Sequence, residues 1–72
     1  MDSRLAKRFG KVIKKHRNNR GLSQEELAFD TGLHRTYISL LERGIRQPTL
    51  SVIFLLSDSL NCEPEQLVKE AK

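Results

Sequence analysis

Residues 22–50 read LSQEELAFDTGLHRTYISLLERGIRQPTL, and this stretch decides the fold. Ser23 and Glu26 have the S-x-x-E spacing of a capping box, in which the hydroxyl and the carboxylate each accept a free backbone amide at a helix start. Gly32 and Gly44 are expected to end two successive helices, because glycine readily adopts the left-handed conformation that follows a helix. The stretch therefore predicts two short helices joined by a tight turn, over about residues 23–43.

Helical spacing continues on both sides of this stretch, without strand-like alternation. Apolar residues at positions 5, 9, 12 and 13 favour an amphipathic helix over about residues 4–19, with lysines and arginines on its other face. Thr49 suits the cap of a helix over about residues 50–60, and Pro64 suits the first turn of a last helix over about residues 64–70. The chain is therefore predicted to be all-α, a single five-helix domain over residues 1–72 with helix-turn-helix spacing at its centre.

The composition excludes several kinds of site. With 72 residues the chain has room for one small domain, which has little stability to spare without a staple or a partner. Cys62 is the only cysteine, so an intrachain disulfide is excluded, and two distant histidines, His16 and His34, give no cluster of metal ligands. We therefore expect no metal and no cofactor.

The chain also lacks the sequence features of an enzyme or a membrane protein. It has no paired acid and base, no glycine loop for phosphates and no nucleophile beside a base. No apolar run approaches the roughly 20 residues that span a bilayer, and the basic start leads into no signal peptide. A lone cysteine suits a reducing compartment, so we expect a non-enzymatic protein of the cytoplasm.

The charge distribution indicates a polyanionic partner. The net charge is +4, and eight of the 13 basic residues lie within residues 1–20, where Asp2 is the only acid. A cationic first quarter followed by a mildly acidic remainder suits a face that binds nucleic acid. A solvated basic helix explains the charge alone equally well. The choice between these two interpretations therefore rests on the sequence motif of residues 22–50.

Four pieces of the central stretch occur together at one characteristic spacing: SQEELA (23–28), TGL (31–33), YIS (37–39) and ERG (42–44). In this combination the chain resembles the helix-turn-helix proteins of the Cro and phage-repressor type, also called the xenobiotic-response-element family, over about residues 5–67. The resemblance implies a lambda-repressor-like fold and sequence-specific binding to double-stranded DNA. The HRTYIS run (34–39) and the absence of a second domain look most like the controller proteins of restriction–modification systems.

The resemblance places base contacts on the helix that follows Gly32. The DNA major groove admits one helix and displays a distinct pattern for each base pair. This helix therefore needs one side packed in the core through Ile38 and Leu41 and the opposite side exposed. The candidate base-contacting residues are Arg35, Thr36, Ser39 and Leu40. Arg35 suits a guanine, although a phosphate contact explains it nearly as well, and Leu40 can make only apolar contact or pack on its own helix.

The resemblance also implies phosphate contacts beside that helix. The candidates are Gln24, Tyr37, Arg43 and Arg46. Gln24 matches the phosphate-binding position at the start of the second helix, where backbone amides also favour an anion. Tyr37 is equally well explained as a partly buried ring with an accessible hydroxyl. Phosphate contacts fix the register on DNA and carry most of the salt-dependent affinity.

Arg17 and Glu42 match a family pair that joins the first helix to the end of the third. Because an arginine fork binds a carboxylate twice, this pair would hold the recognition helix in place; two independent surface charges are the alternative. His34 stands where the family has a better helix cap, and since imidazole is a weaker cap we expect a plain surface histidine there. His16 is expected to pack between helices.

The fourth helix, LSVIFLLSDSL (50–60), holds more apolar residues than one buried stripe needs. The residues expected to fill the core are Leu50, Ile53, Leu56 and Leu60. The residues expected at a homodimer interface are Val52, Phe54, Leu55 and, on the fifth helix, Val68, because exposed apolar groups in a row mark an interface. Two-fold pairing would set two recognition helices about one DNA turn, roughly 34 Å, apart. Capping of Phe54 and Leu55 by the last helix within one monomer is the alternative.

The sequence therefore predicts a homodimeric transcription regulator, an activator or a repressor, that binds a palindromic operator, often its own, in a restriction–modification operon. An activator also needs a surface for RNA polymerase, for which Glu25, Glu26 and Asp30 are candidates, with solvated charges as the alternative. The competing hypothesis is an antitoxin-like interaction module that masks a partner protein. Salt separates the two, because DNA binding weakens steeply with salt and an apolar interface does not.

Overall fold

The computed structural model describes residues 3–72, which form five α-helices and no strand. The helices are α1 (Ser3–Asn19), α2 (Gln24–Thr31), α3 (Arg35–Glu42), α4 (Leu50–Ser59) and α5 (Pro64–Glu70). The predicted all-α, five-helix architecture is confirmed, with helix ends within one residue of those expected from sequence. Met1 and Asp2, which the predicted domain and the charge count included, lie outside the described residues. No helix among residues 3–72 is long and apolar enough to cross a membrane.

The helix ends of the central stretch follow the predicted local chemistry. Ser23 Oγ accepts the amide of Glu26 (3.0 Å), and Glu26 Oε1 accepts the amide of Ser23 (2.8 Å). Gly32 and Gly44 both have φ of +74°, the left-handed conformation that a side chain makes costly. The capping box and both glycine stops are therefore confirmed: the box begins α2, Gly32 lies in the short turn between α2 and α3, and Gly44 follows the end of α3.

Side chains from all five helices meet in one core. The largest fully buried side chains are Ile13, Leu27, Ile38, Leu41, Leu56 and Leu67. Removing each of these from water contributes about 1.5–3 kcal/mol, which offsets the low stability expected of short helices that would not form alone. The core thereby holds α3 by its back and leaves its other side accessible.

Helix α1 passes unusually close to the end of α3, and two glycines make this possible. A Cβ on Gly10 would lie against the backbone oxygen of Leu41 and only 2.6 Å from that of Glu42. A Cβ on Gly44 would lie 2.6 Å from the Cα of Lys7. In both cases the atoms in the way include backbone atoms, which cannot rotate aside as a side chain can. The close approach of α1 to the end of α3 therefore requires glycine at positions 10 and 44.

The predicted core positions of α4 are partly wrong. Val52 is buried in the core and Leu50 is 71% exposed, the reverse of the expected placement, whereas Leu56 and Leu60 are buried as expected and Ile53 is partly buried. Apolar residues occur around most of this helix, so their spacing alone does not select a buried side. Packing against α2 and α5 selects it instead.

The last helix is attached to the first by polar contacts as well as by the core. Arg8 Nε donates to the carbonyl of Ala71 (2.9 Å), and Lys15 Nζ donates to Glu70 Oε1 (2.6 Å). Gln66 Nε2 donates to Glu70 Oε2 (2.6 Å) within α5. Glu70 therefore joins α1 to the C-terminal turn of α5.

His16 lies in the same cluster, with its Nε2 3.1 Å from Glu70 Oε1. It packs between α1 and α5, and it also makes a polar contact that the sequence did not indicate. The hydrogen bonds from Lys15 and Gln66, together with His16, lower the pKa of Glu70 from 4.5 to about 2. The carboxylate is therefore ionised throughout the physiological range.

Candidate nucleic-acid interface

Helix α3 has a buried side and an accessible side. The buried side chains are Ile38, Leu41 and Glu42. The accessible side holds the four predicted base-contacting residues, with Arg35 and Thr36 exposed and Ser39 and Leu40 half-buried. Residues at i, i+1, i+4 and i+5 lie along one strip of a helix, so the structure brings these four side chains together on the face that points away from the core.

Arg35 is loosely paired at the start of that strip. Its Nε lies 3.9 Å from Glu25 Oε1 on α2, and both side chains are largely exposed. An ion pair of this kind adds little stability. The guanidinium is therefore available to exchange the carboxylate for a base edge or a phosphate.

Arg17 and Glu42 form a buried ion pair between α1 and the end of α3. Arg17 Nε donates to Glu42 Oε2 at 2.6 Å, and its Nη2 donates to Glu42 Oε1 at 3.0 Å. The hydrogen bonds and the charge of Glu42 raise the pKa of Arg17 above its ordinary value, against the opposing effect of burial. Removal of either partner would leave the other charge buried and unpaired, which costs about 3–5 kcal/mol.

The same pair reaches the start of α2. Arg17 Nη1 donates to the carbonyl of Leu22 (2.8 Å), in the turn that precedes α2. Gln24 Nε2 donates to Glu42 Oε1 (3.1 Å). The predicted phosphate-binding glutamine is therefore linked to the predicted structural ion pair, a connection that spacing in the sequence did not indicate.

The other predicted phosphate-binding residues include two arginines that follow the end of α3. Arg43 and Arg46 are exposed and follow directly after the helix. The amide of Ile45 donates to the carbonyl of Leu40 (3.0 Å), which folds the chain back and places Arg46 beside the helix end. Tyr37 is half-buried, with its ring packed against the core. The two arginines thus follow the C-terminal end of the accessible strip, and Gln24 lies beside the same end through its bond to Glu42.

His34 is not the plain surface histidine that we expected. Its Nδ1 accepts the amide of Thr36 (3.1 Å), so it caps the start of α3. The backbone around His34 is extended, as at other helix caps. The imidazole places an unprotonated ring nitrogen where a hydroxyl or carboxylate oxygen would stand, and this is why the helix begins at Arg35.

An apolar surface lies on α4, away from α3. Leu50, Phe54 and Leu55 are 71%, 55% and 43% exposed, and they line an open groove between α4 and the start of α5 at Pro64. We refer to this groove as the α4 groove. Val68 is also exposed, on α5, whereas Val52 is withdrawn from this surface into the core. The prediction that Val52 belongs to the exposed apolar surface is therefore wrong, and Leu50 belongs to that surface instead.

Helix α2 exposes an aromatic ring that the sequence analysis did not single out. Phe29 is 88% exposed and lies among Glu25, Glu26 and Asp30, which are also exposed. The inward residues of this short helix, Leu27 and its neighbours, fill the core. The outward side of α2 is therefore acidic with an apolar centre, on a chain whose net charge is +4.

No group of three or more His, Cys, Asp or Glu side chains within residues 3–72 is arranged to hold a metal ion. Cys62 lies at the edge of the α4 groove. Burial raises the pKa of its thiol, and the carboxylates of Glu70 and Glu63 raise it further. The thiol therefore stays protonated, as expected for a cysteine that serves as a small apolar residue.

Comparison with known proteins places this geometry among DNA-binding regulators. The family model that matches the chain has the description Helix-turn-helix and covers residues 13–67. Control protein C.SmaI of Serratia marcescens is 45% identical over 56 residues, which are 78% of this chain and 67% of that protein.

Two solved structures are similar in both fold and sequence. The restriction-modification controller protein C.AhdI from Aeromonas hydrophila is 43% identical, and the match covers 88% of this chain and 94% of that chain with a TM-score of 0.83. The restriction-modification controller protein C.Esp1396I, solved as a tetramer in complex with its natural 35 base-pair operator, is 38% identical, with 93% of each chain covered and a TM-score of 0.80.

Proposed function

The chain belongs to the helix-turn-helix family of the Cro and phage-repressor type, and we propose on this premise that it controls a restriction–modification operon. It is a transcription regulator that binds specific sequences of double-stranded DNA. It acts as a homodimer on a palindromic operator, and its five helices work as one DNA-binding domain in the cytoplasm. The observation that carries the proposal is the accessible strip of α3, whose opposite side is buried and which has groups that suit phosphate beside it at Gln24, Arg43 and Arg46.

Residues on that strip are proposed to contact the bases. Arg35 has the fork that binds O6 and N7 of a guanine, a contact that discriminates by about 1–3 kcal/mol. Thr36 suits a base edge or a thymine methyl, and Ser39 a base edge. Leu40 lies half-buried at the margin of the strip, where it suits an apolar contact with a thymine methyl.

Phosphate contacts are proposed for Gln24 at the start of α2 and for Arg43 and Arg46 after the end of α3. All three lie beside the accessible strip, where they suit the DNA backbone that borders the major groove. Tyr37 packs its ring on the core, and its hydroxyl can donate a hydrogen bond at the surface. A partly buried ring and a phosphate contact are therefore compatible for this residue. Each arginine on a phosphate adds close to one released counterion to the salt dependence of binding.

The α4 groove, lined by Leu50, Phe54 and Leu55, is proposed as the homodimer interface together with the exposed Val68 on α5. Three large apolar side chains on one helix would otherwise face water. A single strip on α3 offers few base contacts, and pairing doubles them within one operator. The tetramer of C.Esp1396I on its natural operator supports assembly of this kind.

A contact with RNA polymerase is proposed for the outward side of α2, around Phe29. An acidic surface with an exposed ring suits a basic protein segment rather than DNA, which it repels. The substitutions Phe29→Ala and Asp30→Lys should abolish activation in a reporter strain while operator affinity stays within about twofold. Activation that persists in both variants would contradict this contact.

The chain is proposed to have no enzymatic role, since the relatives that it resembles are control proteins and regulators. The antitoxin-like alternative would use the α4 groove to mask a different protein. It requires that the purified chain remain monomeric and bind no preferred DNA sequence, so one experiment separates the two functions.

That experiment is a selection from random duplex DNA at moderate salt, followed by sequencing. Enrichment of a two-fold symmetric site, with half-sites about one helical turn apart, is expected. Leu55→Lys is the matched variant: it should give a folded monomer by sedimentation, with weak operator affinity. No enrichment by the folded wild-type protein would refute the proposal, and an unchanged mass of the Leu55→Lys variant would refute the interface.

A further inference from the structure

We propose that Glu42 is a positioning residue for Gln24, which makes the phosphate contact at the start of α2 depend on the buried ion pair behind α3. This inference rests on the proposed function, in which Gln24 binds phosphate. It assigns to Glu42 a second role beyond the anchoring of α3: the carboxylate fixes which atom of the Gln24 amide faces the DNA.

The contact itself is direct and buried on one side. The Glu42 side chain is 3% exposed. Its Oε2 accepts Arg17 Nε, and its Oε1 accepts both Arg17 Nη2 and Gln24 Nε2. Since Gln24 is only half-buried, its amide bridges between a buried acceptor and the surface.

The chemistry of the two groups selects one orientation of the amide. An ionised carboxylate can only accept hydrogen bonds, whereas a glutamine amide has one accepting oxygen and two N–H donors. Glu42 therefore holds Nε2 and disfavours the flipped form, in which two oxygens would meet. One N–H of Gln24 is occupied, and the second stays available to donate outward, as an anion requires.

The start of α2 offers further donors beside this one. Gln24 is the first residue of α2, and the first amides of a helix have no acceptor within it. Ser23 Oγ accepts the amide of Glu26, so the amides of Gln24 and Glu25 are the ones left for an anion. A phosphate at this helix start would meet backbone amides and the fixed side-chain N–H together. Fixing the side chain before DNA arrives removes part of the ordering cost of binding, a gain of about two- to tenfold in affinity.

Arg17 extends the link to the backbone. It binds Glu42 and also the carbonyl of Leu22, so one guanidinium sets both the carboxylate that holds Gln24 and the turn that leads to it. The position of the phosphate contact is thereby tied to the position of α3, which carries the base contacts.

The test is a double-mutant cycle on operator affinity. The first change, Gln24→Met, removes the amide. The second replaces the buried pair by apolar residues, Arg17→Leu with Glu42→Leu, which leaves the net charge unchanged and often preserves or raises stability. A matched control pair, Lys15→Gln with Glu70→Gln, removes the ion pair between α1 and α5, which does not touch Gln24.

We expect Gln24→Met to weaken operator binding about tenfold in the wild-type background, since two copies each lose one hydrogen bond, and to do the same in the control background. In the apolar-pair background the factor should fall to about threefold or less. Equal factors in all three backgrounds would overturn the positioning role while leaving operator binding intact. Failure of the wild-type protein to select any operator would overturn the proposed function and this inference with it.

A measurement on the unaltered protein decides the matter even if the apolar-pair variant does not fold. The two Nε2 protons of Gln24 are followed by NMR exchange with solvent in the free protein. One proton, held by Glu42, should exchange several-fold more slowly than the other, and the faster one should become protected when the operator is added. Equal, fast exchange of both protons in the free protein would overturn the proposal.

Discussion

The substitution Gly10→Ala tests how closely α1 must approach α3. An added Cβ would lie 2.6 Å from the oxygen and 2.8 Å from the carbonyl carbon of Glu42, well inside ordinary contact distances. The obstacle is backbone, so α1 has to move away from α3. Inserting an extra carbon into a packed contact of this kind costs about 1–3 kcal/mol.

Helix propensity opposes this cost, because alanine favours a helix interior over glycine by about 1 kcal/mol. The cost of the overlap should lie in the upper part of its range, since neither backbone can relax without shifting a whole helix, and the net loss of stability is then about 1–2 kcal/mol. In a domain of this size each kcal/mol lowers Tm by about 4–8 °C. We therefore expect Gly10→Ala to melt about 5–10 °C below the wild-type protein.

The assay is thermal unfolding followed by circular dichroism, at one fixed protomer concentration because a dimer melts in a concentration-dependent way. Lys14→Ala is the matched control on the exposed side of α1, where stability should change by no more than about 0.5 kcal/mol. A Tm for Gly10→Ala at or above that of the wild-type protein would refute the reasoning, because propensity would then outweigh the supposed overlap.

Three further outcomes are expected. Arg35→Ala should reduce discrimination between operator and random DNA more than it reduces non-specific affinity in competition binding; equal losses would exclude a base contact. Arg46→Ala should weaken binding to all sequences and lower the salt slope of binding by about one, and an unchanged slope would exclude a phosphate contact. Glu70→Gln should destabilise the fold at neutral pH. The pKa of Glu70 is lowered from 4.5 to about 2, so its ionised carboxylate contributes stability above pH 4.5, and this contribution is lost as the pH falls towards 2. Urea titrations of the wild-type protein and the variant should therefore converge at acid pH. A difference that persists unchanged to pH 2 would contradict this origin.

Much of the fold follows from local chemistry that the sequence states directly. Ser23, Glu26, Gly32 and Gly44 each act on backbone groups a few residues away, so their effects do not depend on the rest of the molecule. The amphipathic pattern of α1 likewise identifies its buried side at Phe9, Val12 and Ile13, whereas Leu5 is 43% exposed. Together with the cap at Thr49 and Pro64 in the first turn of α5, these features suffice to predict five helices and the turn between α2 and α3.

The side of α4 that is buried could not be predicted in the same way. When apolar residues surround a helix, the choice between Leu50 and Val52 is made by the shape of the neighbouring helices rather than by periodicity. His34 illustrates a different limit. Its cap depends on the neutral ring nitrogen that faces the helix, and residue type alone does not reveal this orientation.

Within the candidate site, the resemblance indicated the individual residues and the Arg17–Glu42 pair, but not the other contacts that connect them. The bond between Gln24 and Glu42 joins residues 18 positions apart, and the contact between Lys15 and Glu70 joins residues 55 apart. Neither spacing belongs to a repeating pattern. Such contacts arise from the way helices cross, which only the folded structure provides.

The attachment of α5 to α1 also determines when a newly made chain becomes competent. The ribosome delivers the chain from its N-terminus, so α1 is made well before α5, to which it is attached. Until α5 is made, Lys15 and His16 lack the Glu70 carboxylate that they contact, and Leu67 is missing from the core. A chain that still lacks α5 therefore cannot complete the fold, and DNA binding by a new chain has to wait for its last helix.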